Sequence, residues 1–245
     1  MTIAYFDCFS GICGDMILGA LFDLGLDQKF FKKEIKKMDV TGFEIDIKEV
    51  ERNHLHAIDV YINVTENQPH RSFQDIKNLI EKSKLDKDIK SKSIEIFQKL
   101  AQAEGKIHNV AFESVHFHEI GAVDSIIDIV GAAIGVNKLE FEKIFSSPLP
   151  LGKGFVNCAH GKIPIPAPAT LEILKDVPVY QTDRKQELVT PTGAAIISSF
   201  ANDFIDIPPM KIKRIGHGAG KTKSKYPNLL RVIVGDEADI KTKRN

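Results

Sequence analysis

The chain has 245 residues, enough to bury a core without covalent staples, and its 33 basic side chains balance 33 acidic ones, so no net field favours nucleic acid. Three cysteines, an odd number, fit a reducing compartment better than a secreted disulfide framework. The N-terminus lacks a basic stretch leading into an apolar one, and no apolar run reaches membrane-spanning length, so the expectation is a soluble, unprocessed cytoplasmic protein that binds neither nucleic acid nor membrane.

Residues 3 to 9 are β-branched, aromatic and small. They run into the turn composition Ser10-Gly11-Ile12-Cys13-Gly14-Asp15 ahead of an apolar stretch from Met16 to Phe22. This predicts a strand, a tight loop and a helix, with Gly25 as the helix stop. Alternation in FEIDIKEV and AIDVYINV predicts two strands joined around Asn53-His54, most simply as a hairpin. From 72 to 106 charged residues carry Ile76, Leu79 and Ile80, then Ile94, Phe97, Leu100 and Ala101, at helical spacing, which predicts a subregion of two solvent-facing helices. A helix beginning near Ala122 would align Val123, Ile127, Val130 and Ile134 in one stripe. Asp124 and Asp128 then share another face with Gly131.

A short strand around Ile144 gives way to a turn, and three alternating prolines between Gly161 and Pro168 predict a stiff extended connector rather than a central strand. Pro168 is placed to open the helix ATLEILK, and Thr190 to cap a helix whose first residue is Pro191. Beyond Phe204 the pattern reads as strand, Gly-rich loop at 216 to 220, and strand at 229 to 234, with 237 to 245 as a polar tail or the start of a linker. The alternation of elements predicts an α/β fold for 1 to 236: a layered domain with a mixed β-sheet flanked by helices.

The segment SVHFHEIGAVDSIIDIVG sets two histidines and three carboxylates in an apolar run. In an extended stretch His116 and His118 point to one face, and Glu119, Asp124 and Asp128 follow. Carboxylates in apolar surroundings need a cation or several donors, and imidazole with carboxylate suits nickel, zinc or manganese. The alternative is structural: Asp124 caps the helix, Asp128 pairs with a basic residue and the histidines bond to backbone.

Further candidate groups are Asp7 and Asp15, which flank a glycine-bearing loop where Ser10, Gly11 and Gly14 could cradle a phosphate, although no Gly-Lys-Ser/Thr follows. A tight turn is the alternative for the glycines, and burial as small hydrophobes for Cys8 and Cys13. His160 sits before the proline-stiffened stretch, as a ligand or general acid would. Glu187 and the helix start with Thr190 and Thr192 form a second anion-ready terminus. Gly218, Gly220 and Lys221, followed by Lys223, Lys225 and Arg231, suit a phosphate-bearing ligand or a solvated hairpin tip.

Taken together, FDCFSGICGDMILGAL, HRSFQDI, VHFHEIGAVDSIIDIVG, AHGKIPIPAPATLEIL, ELVTPTGAAI and GHGAGKTKSKYPNLLRVIVGD resemble the LarC family of nickel insertion proteins, over residues 3 to 236. The resemblance implies a chelatase of the lyase class. It would insert Ni2+ into a pyridinium-3,5-bisthiocarboxylate mononucleotide, in a reaction dependent on CTP with Mg2+ or Mn2+, to give the nickel-pincer cofactor of lactate racemase and related enzymes. On that reading His116, His118, Glu119, Asp124 and Asp128 meet the metal. Asp7, Asp15, His160 and Glu187 are catalytic, and Ser10, Gly11, Gly14, Thr190, Thr192, Gly218, Gly220 and Lys221 hold the nucleotide.

Family members commonly continue into a smaller C-terminal domain associated with CTP binding, so a separate partner domain is expected, and self-association is left open. Cys13 stands where the family generally has serine and is not carried over as a site. Two other readings are a metal-dependent nucleotide hydrolase using His160 or an aspartate as base, and a non-catalytic nickel carrier that needs a C-terminal partner.

Overall fold

A computed structural model describes residues 1–69, 71–115, 117, 122–158, 161–222 and 225–238. In chain order these form β1 (Thr2–Asp7), α1 (Gly14–Asp23), α2 (Gln28–Ile35), β2 (Phe43–Arg52), β3 (Leu55–Val64), α3 (Phe73–Lys82), α4 (Lys87–His108) and α5 (Val123–Leu139). Then come β4 (Lys143–Ser146), β5 (Leu149–Leu151), β6 (Gly154–Cys158), β7 (Gly161–Ile165), α6 (Pro168–Ile173), β8 (Val179–Gln181), α7 (Pro191–Phe200), β9 (Asp203–Phe204), β10 (Met210–Ala219) and β11 (Leu229–Glu237). Seven strands make one mixed sheet in the order β2-β3-β10-β11-β1-β4-β9, as the α/β reading expects. Along β1, Ala4 and Phe6 join the core shared with the helices, together with Leu230, Val232 and Val234 of β11. The alternate residues Ile3 and Tyr5 are buried outside that core.

The hairpin is present: β2 and β3 pair antiparallel from Phe43↔Val64 to Arg52↔Leu55. Its turn residues Asn53 and His54 both have positive φ, 51° and 64°, the conformation a two-residue hairpin turn requires. The helix capped by Thr190 is also as expected, with its Oγ1 accepting from Gly193 N at 3.1 Å. At the other end of α7, Lys92 and Lys99 donate from Nζ to the carbonyls of Ser199 and Ser198, at 2.9 and 2.8 Å, where cations complement the helix dipole.

Three expectations need correction, and one helix was missed. The 72–106 helices exist, but α4 is not solvent-facing: Ile96, Phe97, Leu100 and Ala101 are fully buried, because α4 packs against α5, α6 and α7. The proline-rich stretch is a strand, β7, paired antiparallel with β6. A peripheral two-stranded ribbon tolerates proline where a central strand would not. Helix α2 was not anticipated. Asp27 caps it by accepting from Phe30 N at 2.7 Å, and Phe31 and Ile35 anchor it.

Lastly, the glycines at 216 and 218 lie inside β10 rather than in a loop. A Cβ on Gly218 would stand 1.7 Å from Met16 O, and one on Gly19 would stand 2.3 Å from Ile58 O. Helix α1 therefore lies directly on the backbones of β3 and β10, at a distance only hydrogen side chains allow. Gly218→Ala is expected to cost about 2–3 kcal/mol by overpacking, which in a domain of this size lowers Tm by roughly 5–10 °C. Thermal unfolding followed by circular dichroism checks this, and an unchanged Tm would mean that α1 sits further from the sheet.

Candidate active site

The loop after β1 is zipped to the segment before α7. Ile12 N donates to Leu188 O at 2.8 Å, and Thr190 N donates to Ile12 O at 3.2 Å. Gly11 has φ +106°, and a Cβ there would fall 1.9 Å from Leu188 O, so the loop closes only on glycine. The zipper sets the start of α1 beside the start of α7. Helix α5 packs against α1 so closely that a Cβ on Gly14 would stand 2.3 Å from Asp128 Oδ2. The first two turns of α5 and the starts of α1 and α7 thus meet at a cleft of about 340 Å³. It is walled on the other side by Val60, Tyr61 and Ile62 of β3 and by Lys221.

The cleft is short of positive charge. Asp15, Asp124 and Asp128 line it, with Cys13, Ser125, Thr190 and Thr192. Lys221 is the cation among its lining residues, but its Nζ is committed elsewhere: it pairs with Asp59 Oδ1, donates to Val60 O at 2.6 Å and sits 3.6 Å above the Tyr61 ring. Asp15 Oδ2 is 3.4 Å from it. Asp59 is wholly buried and also takes Arg52 Nη2 at 2.8 Å.

Asp128 fares worst. Burial pushes its carboxyl well above the usual carboxylate range, the charges of Asp15 and Asp124 push it further, and Lys221 opposes them. Its Oδ1 is shut off from solvent without a hydrogen-bond partner among the described residues, a costly state for an acceptor. Cys13 Sγ donates to Asp15 Oδ1 at 2.6 Å. Burial, then the Asp15 charge, pushes the thiol well up, so Cys13 is a donor here and not a thiolate. Three helix starts supply partial positive charge to the same space, which lessens the acids' repulsion without pairing them.

Of the residues singled out from sequence, the cleft brings together Gly14, Asp15, Asp124, Asp128, Thr190, Thr192 and Lys221. Asp7 is elsewhere, held at the end of β1 by Arg231, whose Nε donates to Oδ2 at 3.0 Å. Ser10 is buried and accepts from Arg184 Nη1 at 2.6 Å. Gly11, Gly218, Gly220 and Glu187 do not line the cleft. Gly220 N donates to Asn228 O at 2.9 Å.

His116, His118, Glu119 and His160 lie outside the described residues. Among the described residues no group of three or more His, Cys, Asp or Glu side chains is arranged to hold a metal ion. The acids edge the cleft without converging on one point. Sequence reasoning missed Asp59 and Tyr61. The available signal was an acid midway along the apolar strand AIDVYI, where burial demands a partner cation. Cys8 is structural: fully buried, with its thiol pushed by burial up to about 12.

The profile of the nickel insertion protein family matches residues 4–245. The chain belongs to the nickel insertion protein family. It is 53% identical over 236 residues to a Dictyoglomus thermophilum protein named for nickel insertion, covering 96% of this chain and 61% of that one. It is 47% identical over 239 residues to the pyridinium-3,5-bisthiocarboxylic acid mononucleotide nickel insertion protein of Desulfitobacterium hafniense, covering 98% and 60%. With the protein of the same name from Acetivibrio thermocellus it shares 45% over 247 residues, covering 96% and 61%. The chain thus spans about three-fifths of the length of these nickel insertion relatives. No solved structure matches it. Among the described residues no helix is long and apolar enough to cross a membrane.

The raised Asp128 carboxyl has a sign that can be tested. Between the ordinary aspartate value, about 4, and its own raised value, the folded chain holds a proton that the unfolded chain has released. Stability therefore falls as pH rises through that window. In chelator, Asp128→Asn is expected to match the wild-type Tm near pH 4 and to exceed it increasingly toward about pH 8. Parallel Tm curves for the two proteins would mean that the carboxylate is not penalised.

Proposed function

We propose that this chain carries out the nickel insertion step on pyridinium-3,5-bisthiocarboxylic acid mononucleotide, as a chelatase of the lyase class in nickel-pincer cofactor biosynthesis, working in the cytoplasm. The observation that carries the reading is the cation deficit of the cleft, above all the buried, unpartnered Oδ1 of Asp128. A divalent ion entering there would displace the proton that burial keeps on Asp128 and offset the charges of Asp15 and Asp124.

Nickel is a substrate in this scheme. Asp124 and Asp128 receive it through oxygen, with His116, His118 and Glu119, which immediately precede α5 in sequence, completing its ligands. Lys221 and the starts of α1 and α7 orient the anionic thiocarboxylate arms toward the ion. The two sulfurs form the softer ligand set, so the ion leaves the carboxylates for the substrate. Asp15, which accepts a hydrogen bond from Cys13, is retained as a catalytic candidate at the edge of the cleft. His160, Glu187 and Asp7 are retained as acid–base candidates on sequence grounds alone. CTP with Mg2+ or Mn2+ is proposed as a co-substrate of the longer proteins, bound by their C-terminal portion.

The test supplies nickel, the mononucleotide, CTP and Mg2+ to the chain, with and without a separately expressed C-terminal portion of a relative, and reads the nickel-bearing product by mass spectrometry. Asp128→Asn and Asp124→Asn are expected to lower product by about 100-fold or more, the range lost with a positioned charged group at a reacting centre. Undiminished insertion by the double variant would sink the assignment. CTP turnover by this chain without the mononucleotide would favour the hydrolase reading. Nickel retention with no product in any mixture would favour the carrier.

A further inference from the structure

A second cavity, of about 490 Å³, opens between residues 182–186 and the pair Lys225 and Tyr226. It shares no lining residue with the carboxylate cleft, yet Thr182 to Gln186 line the one and Thr190 and Thr192 the other, and Lys225 and Tyr226 follow shortly after Lys221 of the cleft in sequence. The loop after β1 bridges them, since Ser10 takes a hydrogen bond from Arg184 and Cys13 lines the cleft.

The charge balance here is the reverse of that in the first cleft. The Arg184 guanidinium lies 4.7 Å from the centroid of the Tyr226 ring, and the Lys225 ammonium lies 4.9 Å from it. Lys185 adds a third cation. The acid lining the cavity, Asp183, is held by Lys153 at 2.6 Å. Among the described residues no carboxylate forms an ion pair with Arg184, Lys185 or Lys225. Cations gathered on one aromatic ring repel each other until an anion joins them.

The backbone beneath them is fixed. Thr182 N donates to Leu151 O at 2.8 Å, and Lys153 N donates to Arg184 O at 2.9 Å. Gly152 passes so close that a Cβ would fall 1.8 Å from Gln186 O. Opposite, Asn53 at the tip of the β2–β3 hairpin donates from Nδ2 to Lys225 O at 3.1 Å. A rim carrying a guanidinium fork, with one Nη on Ser10, and two ammonium groups, none of them in an ion pair with a carboxylate of the described residues, is an arrangement that recognises a phosphate monoester.

We propose that the Arg184–Lys225–Tyr226 cavity is a phosphate subsite, which holds the 5′-phosphate of a pyridinium mononucleotide while its ring is presented to the carboxylate cleft. This rests on the function proposed above and deepens it by assigning the two ends of the substrate to two cavities of opposite charge. Ser10 links them, so the phosphate clamp and the start of α1 are parts of one framework.

The test uses nicotinamide mononucleotide, which has the same pyridinium ribosyl phosphate without thiocarboxylates, in calorimetric titrations free of nickel. Nicotinamide riboside, inorganic phosphate and CTP are the comparison ligands. The wild-type chain is expected to bind the mononucleotide in preference to the riboside. Arg184→Gln with Lys225→Gln should weaken the mononucleotide about tenfold or more, the loss of a charge-assisted pair of hydrogen bonds, and leave the riboside unchanged.

Because Arg184 also holds the buried Ser10, Lys225→Gln alone keeps the test open if the double variant unfolds. It should weaken the mononucleotide severalfold. Equal binding of mononucleotide and riboside by the wild type would overturn the proposal. So would full mononucleotide affinity in a folded variant, or a variant that loses only CTP or only inorganic phosphate. Loss of nickel insertion with phosphate discrimination intact would instead sink the insertion reading and leave the subsite standing.

Discussion

Asp59 is wholly buried in β3 and takes its charge balance from Arg52 and Lys221. Most of the cleft's chemistry follows from that arrangement. A buried carboxylate stripped of its partners would cost several kcal/mol, so the Lys221 ammonium is pinned against β3, under the further hold of Val60 O and the Tyr61 ring. It is then too committed to neutralise the acids across the cleft. Asp15 has it at 3.4 Å, and Asp128 has no direct contact with it. The cleft is electron-rich because its one lysine was already engaged by the wall behind it.

The second constraint is steric. Asp15, Asp124 and Asp128 can crowd one space only because α1 reaches it without side chains in the way. Gly14 clears Asp128, and Gly19 and Gly218 let the helix lie on the strand backbones. Each of these glycines costs backbone entropy. The return is a helix start placed, through the Ile12–Leu188 zipper, beside two others, with its dipole aimed into the cleft. Electrostatics and packing are thus one arrangement here: moving α1 outward to admit a methyl group would also part Asp15 from Asp128.

Sequence carried the local elements well where a residue's physics is decided by its neighbours. Thr190 with Pro191, the alternation around Asn53-His54 and the strand–loop–helix at 3–22 all read correctly, because caps, hairpin turns and strand periodicity act over a few residues. It failed where distant chain decides. The glycines at 216 and 218 look like a loop until α1 is laid on them, the stretch around Pro164 looks like a connector until β6 pairs beside it, and α4 looks solvated until three helices cover it. The acids of α5 could be recognised as needing a partner, but nothing local says that Lys221, nearly a hundred residues on, faces them while held by Asp59. The Arg184 cavity escaped notice for the same reason: its cations come from segments far apart in the chain that meet at the Tyr226 ring.

Among the described residues the acids of the cleft form no metal-holding group by themselves, and the proposed transfer asks for none. A preformed set of donors holding nickel at ideal distances would stabilise the bound ion and so raise the barrier to passing it on, since only interactions stronger in the transition state than in the ground state speed a step. On the proposed function, an ion entering the cleft would displace the proton that burial holds on Asp128, and would pass to the softer sulfurs as that carboxyl takes a proton back. The stability lost to the buried Asp128 would then be the source of the proposed affinity for a cation. A more stable chain with asparagine at that position would have no reason to bind one, a trade between stability and function at a single oxygen atom.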